Sequence, residues 1–173
     1  MTPGTALAGD RVRTSVSVAV PVEQAFRLFT EEINLWWRRG PRFRNVQGDQ
    51  GIICLEPRVG GRVFESLTTC GSDASETVFE VGKVTLWEPP QRLIFTWRAS
   101  NFAAGESTEV EVSFQASASG TLVTVEHRGW ANIRTDHPVR HGLEVIAFIR
   151  MMGLWWGDQM TSLRLRGTQS RRA

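Results

Sequence analysis

Charge of one sign, cysteine and long apolar runs are all in short supply in this sequence, and each shortage removes a class of partner. The formal net charge is only +2 over 173 residues, so neither nucleic acid nor an anionic membrane surface is implied. Lysine is nearly missing: nineteen arginines stand against the single Lys83. Those arginines are scattered along the chain, which reads as coding bias and not as a phosphate-binding surface. Two cysteines, Cys54 and Cys70, cannot make a disulfide framework, and the opening residues lack the charged and apolar regions of a signal peptide. A cytoplasmic, reducing location is the expectation. The most apolar segment, Leu143 to Trp156, is shorter than the about 20 residues of a membrane span and contains Glu144 and Arg150. It reads as a buried helix, with no membrane span.

Catalytic signatures are missing as well. There is no Gly-x-Ser-x-Gly elbow and no Walker-type loop, and neither cysteine has a histidine at a telling spacing. His137 and His141 are four residues apart, but Pro138 lies between them and no cysteine or carboxylate is spaced to complete a zinc site. No metal and no cofactor is therefore expected. Glu65, Glu76 and Glu80 are candidates for an acid/base pair, yet carboxylates on strands ordinarily face solvent, and these are read that way.

What is present is the pattern of one folded domain over residues 11–166, with tails at 1–10 and 167–173 that lack periodicity. Val12, Thr14, Val16, Val18 and Val20 alternate with more polar residues as a half-buried strand does. After Pro21, the residues Val22, Ala25, Phe26, Phe29 and Ile33 recur at helical spacing. An irregular stretch from Asn34 to Gly51 holds the adjacent Trp36 and Trp37. Six strand-like segments follow between Ile52 and Trp130, separated by Gly, Pro, Ser or Asp clusters. The chain then turns helical, with Val145, Ile149, Met152, Trp156, Met160 and Leu163 on one stripe and Arg166 and Gly167 as stop signals. A seven-stranded antiparallel sheet with one apolar face must be covered, and the C-terminal helix is the one element long enough to do so. The fold class is α+β, a curved sheet around a long helix.

Two hairpins show which side chains face that helix. If Pro89 and Pro90 form the loop of "EVGKVTLWEPPQRLIFTW" (Glu80 to Trp97), Glu88 pairs with Gln91 and Leu86 with Leu93. Val84, Leu86, Leu93, Phe95 and Trp97 then point inward, while Trp87 lies outside over Arg92. In the next hairpin Val110, Val112, Phe114, Val123, Val125 and His127 form the inner set. A loop at Ala118-Ser119 pairs Glu111 with Glu126; one at Ser119-Gly120 pairs Glu111 with Arg128 and avoids a like-charge pair. His127 faces inward in both registers, as a ligand-orienting group, a base, or a histidine satisfied by its surroundings.

These segments carry a resemblance. "EVGKVTLWEPPQRLIFTW" and "STEVEVSFQASASGTLVTVEHRGW", together with "VPVEQAFRLFTEEINLWW" and "LEPRVGGRVFE", resemble the signatures of the activator of heat shock protein ninety ATPase homologue-like family, within the SRPBCC superfamily. The resemblance covers about residues 12 to 130. It implies a helix-grip (START-like) fold with a deep apolar cavity between sheet and C-terminal helix, and it implies no reaction. The expected function is binding of a small hydrophobic or aromatic molecule in that cavity. The candidate lining is Trp36, Val84, Leu86, Phe95, Trp97, Val112, Phe114, Val125, His127, Met152 and Trp156. Two alternatives stand beside it: an enzyme of polyketide cyclase, aromatase or hydrolase type with His127 as proton shuttle, and a co-chaperone-like interaction module. The Trp155-Trp156 region could make a homodimer.

Overall fold

The structure is a computed structural model that describes residues 9–46, 48, 50–70 and 77–173. Strand β1 (Val12–Val18) feeds helix α1 (Val22–Thr30), and a single turn of helix, α2 (Ile33–Trp36), follows. Strands β2 (Ile52–Leu55), β3 (Arg62–Ser66), β4 (Thr77–Glu88), β5 (Arg92–Trp97), β6 (Thr108–Ser117) and β7 (Gly120–Arg128) come next. Helix α3 (Val145–Arg172) ends the chain. The sheet is antiparallel throughout in the order β1-β7-β6-β5-β4-β3-β2, so sequential strands pair and β1 closes onto β7. The sheet curls into a half-barrel around α3, the helix-grip arrangement.

Bulges produce part of the curl. Register shifts fall between Val63 and Phe64, between Glu65 and Ser66, and between Val84 and Leu86. Each inserts a residue that bends the strand and exchanges its faces beyond that point. Gly82 sits where β4 crosses close to β5; a Cβ there would lie 1.6 Å from the Thr96 carbonyl oxygen. Core side chains from both layers meet beneath the helix, among them Phe29, Val63, Phe95, Val112, Val123, Trp156 and Leu163.

The register of the first hairpin differs from the expectation, and that of the second is one of the two alternatives. The first loop takes three residues, Pro89 to Gln91, so Glu88 pairs with Arg92, Trp87 with Leu93 and Leu86 with Ile94. The bulge at Thr85 then restores Val84 opposite Phe95. A one-residue slip exchanges faces, so Trp87 turns inward against Phe26 of α1, with ring centroids 5.1 Å apart. Leu86 is not inward but half-buried on the outer face. In the second hairpin Ala118-Ser119 is the loop and Glu111 does oppose Glu126. The like-charge pair stands because Arg128 reaches Glu109, Glu111 and Glu126 together, while Arg92 and Arg11 add ion pairs to Glu111 and Glu126. Burial alone would lower the Arg128 pKa, but its bonds to Glu111, Glu109 and Glu126 outweigh that and hold it above its ordinary value.

Two further features were not anticipated. Cys54 and Cys70 are bonded to each other, bridging a sequence separation of 16. Such bonds are common in oxidising surroundings and rare in a reducing cytoplasm. Gly167 does not stop α3, which runs on through Arg172. The glycine instead allows close packing on β1: a Cβ would come 2.3 Å from Val18 Cγ1. Of the expected N-terminal tail, residues 1–8 lie outside the described residues, as does Glu76. Among the described residues no helix is long and apolar enough to cross a membrane.

A candidate ligand-binding cavity

The curled sheet and the first half of α3 do not close on each other at one end, and a cavity of about 360 Å³ lies there. Its first wall is the segment after α2, which the sequence left irregular and which hydrogen bonds tie to its surroundings over residues 37–45. The Trp37 indole N–H donates to the Phe43 carbonyl (3.0 Å) and the Trp155 indole N–H to the Arg42 carbonyl (2.7 Å). Arg44 is buried and commits all five guanidinium donors: Nε to Arg38 O, Nη1 to Asn34 Oδ1 and Gly51 O, and Nη2 to Asn34 O and Trp37 O. Burial first, then the nearby Arg39 charge, lower its pKa to about 10 against the opposing pull of Glu65. The loop is therefore stitched to α2 by neutral carbonyls around a buried cation.

The second wall is the sheet, contributing Ile53, Glu65, Val81 and Trp97, with the turn at residues 98–101 beyond it. Arg98 Nη2 donates to the Phe102 and Ala103 carbonyls at 3.0 and 3.2 Å and fixes that turn. The third wall is α3, through Met151, Met152 and Trp155, with Val139 and His141 from the segment that leads into it. Trp37 and Phe43 each stand 5.7 Å, centroid to centroid, from Trp155. The surface offered is apolar and aromatic, with a few polar groups set into it, as ligand sites commonly are. Exposed Arg42, Ser100, Asn101 and His141 form its mouth.

Glu65 is the lining residue that sequence reasoning misjudged. It is 1% exposed, not on a solvated face, because the 38–46 loop covers it and binds it through Asn45. Both of its oxygens accept from one donor, the Asn45 backbone N–H, at 3.0 and 2.9 Å.

His127 lies behind the cavity, in the core. It is fully buried, its ring 4.8 Å from Trp130, 5.1 Å from Trp97 and 6.0 Å from Trp156. The Trp156 indole N–H donates to Nδ1 (3.1 Å), which assigns the imidazole proton to Nε2. Nε2–H then donates to Thr108 Oγ1 (2.7 Å), and Thr108 donates to the Trp97 carbonyl (3.2 Å). Every polar atom of this chain is used. Burial lowers the His127 pKa to about 3, so the ring stays neutral and has no free nitrogen for proton transfer. His137 is likewise occupied, with Nε2 at 3.1 Å from Glu106 Oε2 and Nδ1 accepting from Val139 N–H. Among the described residues no three His, Cys, Asp or Glu side chains gather as a metal site requires.

Of the residues expected to line a cavity, Trp97 and Met152 border this one. Trp36, Val84, Phe95, Val112, Phe114, Val125, His127 and Trp156 are packed in the core, and Leu86 is on the outer face. The cavity instead takes the sequence neighbours Trp37 and Trp155. The tandem tryptophans signalled the region; which member faces the space depends on helix and loop geometry that adjacency does not reveal.

The family model described as activator of Hsp90 ATPase homolog 1-like protein matches residues 19–149. The chain belongs to this family. No curated protein matches its sequence. Among solved structures, a Nitrosomonas europaea protein is similar over 98% of this chain and 99% of its own, at 21% identity and a TM-score of 0.61. The Aha1 dimer from Colwellia psychrerythraea shares 15% identity, with coverage of 89% and 92% and a TM-score of 0.51. DynU16, a protein of the dynemicin biosynthetic locus, shares 20% identity over 90% of this chain and 46% of its own, at a TM-score of 0.52. At these identities the neighbours establish the fold alone.

Proposed function

We propose that this family member binds a small apolar or aromatic molecule in the cavity between the sheet and the first half of α3. One observation carries the reading: a space of about 360 Å³ walled by Trp37, Phe43, Val81, Trp97, Met151, Met152 and Trp155, held open by a hydrogen-bonded loop. If sealed and dry, such a volume would cost on the order of 9 kcal/mol at about 24 cal/mol per Å³, comparable with the stability of a whole domain. An open mouth and an occupant both relieve that cost. A ligand of about 25 heavy atoms at about 0.3 kcal/mol each would gain roughly 7 to 8 kcal/mol, which is micromolar affinity. A thermal-shift screen of apolar and aromatic compounds tests this, run beside a variant, Ala99→Trp, that adds bulk at a lining position of the 98–101 turn. Compounds that stabilise the parent and not the variant support the reading; a screen in which no compound stabilises the parent overturns it.

Catalysis has no comparable support, since the histidine suited to it has both nitrogens engaged away from the cavity. Self-association has one supporting observation: Ile146, Leu154 and Leu165 are exposed along α3. Concentration-dependent mass would reveal such a dimer, and a constant monomer mass would remove it.

A further inference from the structure

We infer that the cavity is built for a hydroxylated aromatic acid, whose hydroxyl donates to Glu65 and whose acid group lies toward the arginines at the mouth. The inference rests on the reading of the cavity as a ligand site and names the class of molecule it takes. Glu65 is buried, yet its two carboxylate oxygens share a single donor, the Asn45 N–H. A carboxylate offers about four lone-pair positions, and a buried acceptor left this short of donors is costly. Arg44, whose charge interacts with Glu65, supplies none of them. All five Arg44 donors go to the Arg38, Asn34, Gly51 and Trp37 carbonyls and the Asn34 side chain. Ile53 and Val81, which share the lining with Glu65, have no side-chain donor. A further donor can reach Glu65 from the cavity that it lines.

The surrounding charge decides what kind of donor fits. Arg42, Arg44 and Arg98 line the same space as Glu65, so a ligand ammonium would meet three guanidinium groups for one carboxylate. A hydroxyl donates to Glu65 without adding positive charge. Arg98 bonds to carbonyls and not to a carboxylate, and Arg42 stands 3.8 Å from the exposed Asp158. Arg42 can therefore turn toward an acid at the mouth, beside the positive charge of Arg98, which stays bound to its turn. Between these ends the walls are Trp37, Phe43, Trp97 and Trp155, which suit a flat aromatic body.

Isothermal titration of the unmodified protein with three probes tests the inference: hydroxynaphthoate, its methyl ether and unsubstituted naphthoate. The hydroxyl compound should bind at least about tenfold more tightly than either of the others, the preference of a hydrogen bond to a charged acceptor. Glu65→Gln keeps an oxygen for the Asn45 N–H and should shrink that preference severalfold; the probe comparison stands without it if the variant fails to fold. Equal binding of all three probes would overturn the role of Glu65 and leave an apolar binding cavity in place. Binding by none would overturn the inference together with the ligand reading beneath it.

Discussion

His127 gives the fold a pH dependence that can be worked through. The imidazole is buried and neutral with its folded pKa near 3, whereas in the unfolded chain it would titrate near its ordinary value of about 6.5. Between those two values the unfolded state binds more protons than the folded state, so stability falls as pH drops. At pH 7.5 the contribution is complete; by pH 5 about 1.5 units of the window have been crossed, which at about 1.4 kcal/mol per unit is a loss of roughly 2 kcal/mol. Carboxylates and the other two histidines add their own slopes, so the measurement is a difference. Urea unfolding is followed at pH 7.5 and pH 5 for the parent and for His127→Gln, whose amide can still accept from Trp156 and donate to Thr108. The parent should lose about 2 kcal/mol more than the variant across that interval, or about 4 to 8 °C in melting temperature for a chain of this size. Equal losses in the two proteins would refute the neutral, fully engaged histidine and reopen it as a titrating group.

Other perturbations follow from the same structure. Gly82→Ala drives a Cβ into the Thr96 carbonyl and should cost at least about 3 kcal/mol in chemical denaturation. Arg44→Met strips donors from four backbone carbonyls and the Asn34 side chain. It should lower stability by about 3 kcal/mol, roughly 1 kcal/mol for each of the Arg38, Asn34 and Trp37 carbonyls left short of a donor, and expose the 38–46 loop to limited proteolysis. Reduction of the Cys54–Cys70 bond, which closes a separation of 16 residues, should cost about 3 kcal/mol by the loop-entropy relation, read as a lower melting temperature in dithiothreitol.

The sequence made the architecture readable because burial imposes a period: two along β6 and β7, and the helical stripe of Met152, Trp156, Met160 and Leu163 beneath the sheet. Period alone cannot place a loop or a bulge. The Pro89–Gln91 turn is one residue longer than the two prolines suggested, and that residue decides whether Leu86 or Trp87 faces the helix until the bulge at Thr85 cancels the slip. Glu111 opposite Glu126 contradicted a pairwise charge rule because Arg128 serves three carboxylates at once, a network that no single pairing contains. The cavity was the least legible part. Its aromatic character could be read from the tandem tryptophans. Its polar heart, Glu65 under a loop held by Arg44, depends on side chains from distant segments whose types ordinarily belong at the surface.

Native mass spectrometry of the purified protein tests the central claim most directly, by weighing the folded chain with whatever its cavity holds. The account predicts a small-molecule adduct on the parent, displaced by added hydroxynaphthoate and missing from Ala99→Trp. A bare chain mass that hydroxynaphthoate leaves unchanged would contradict it.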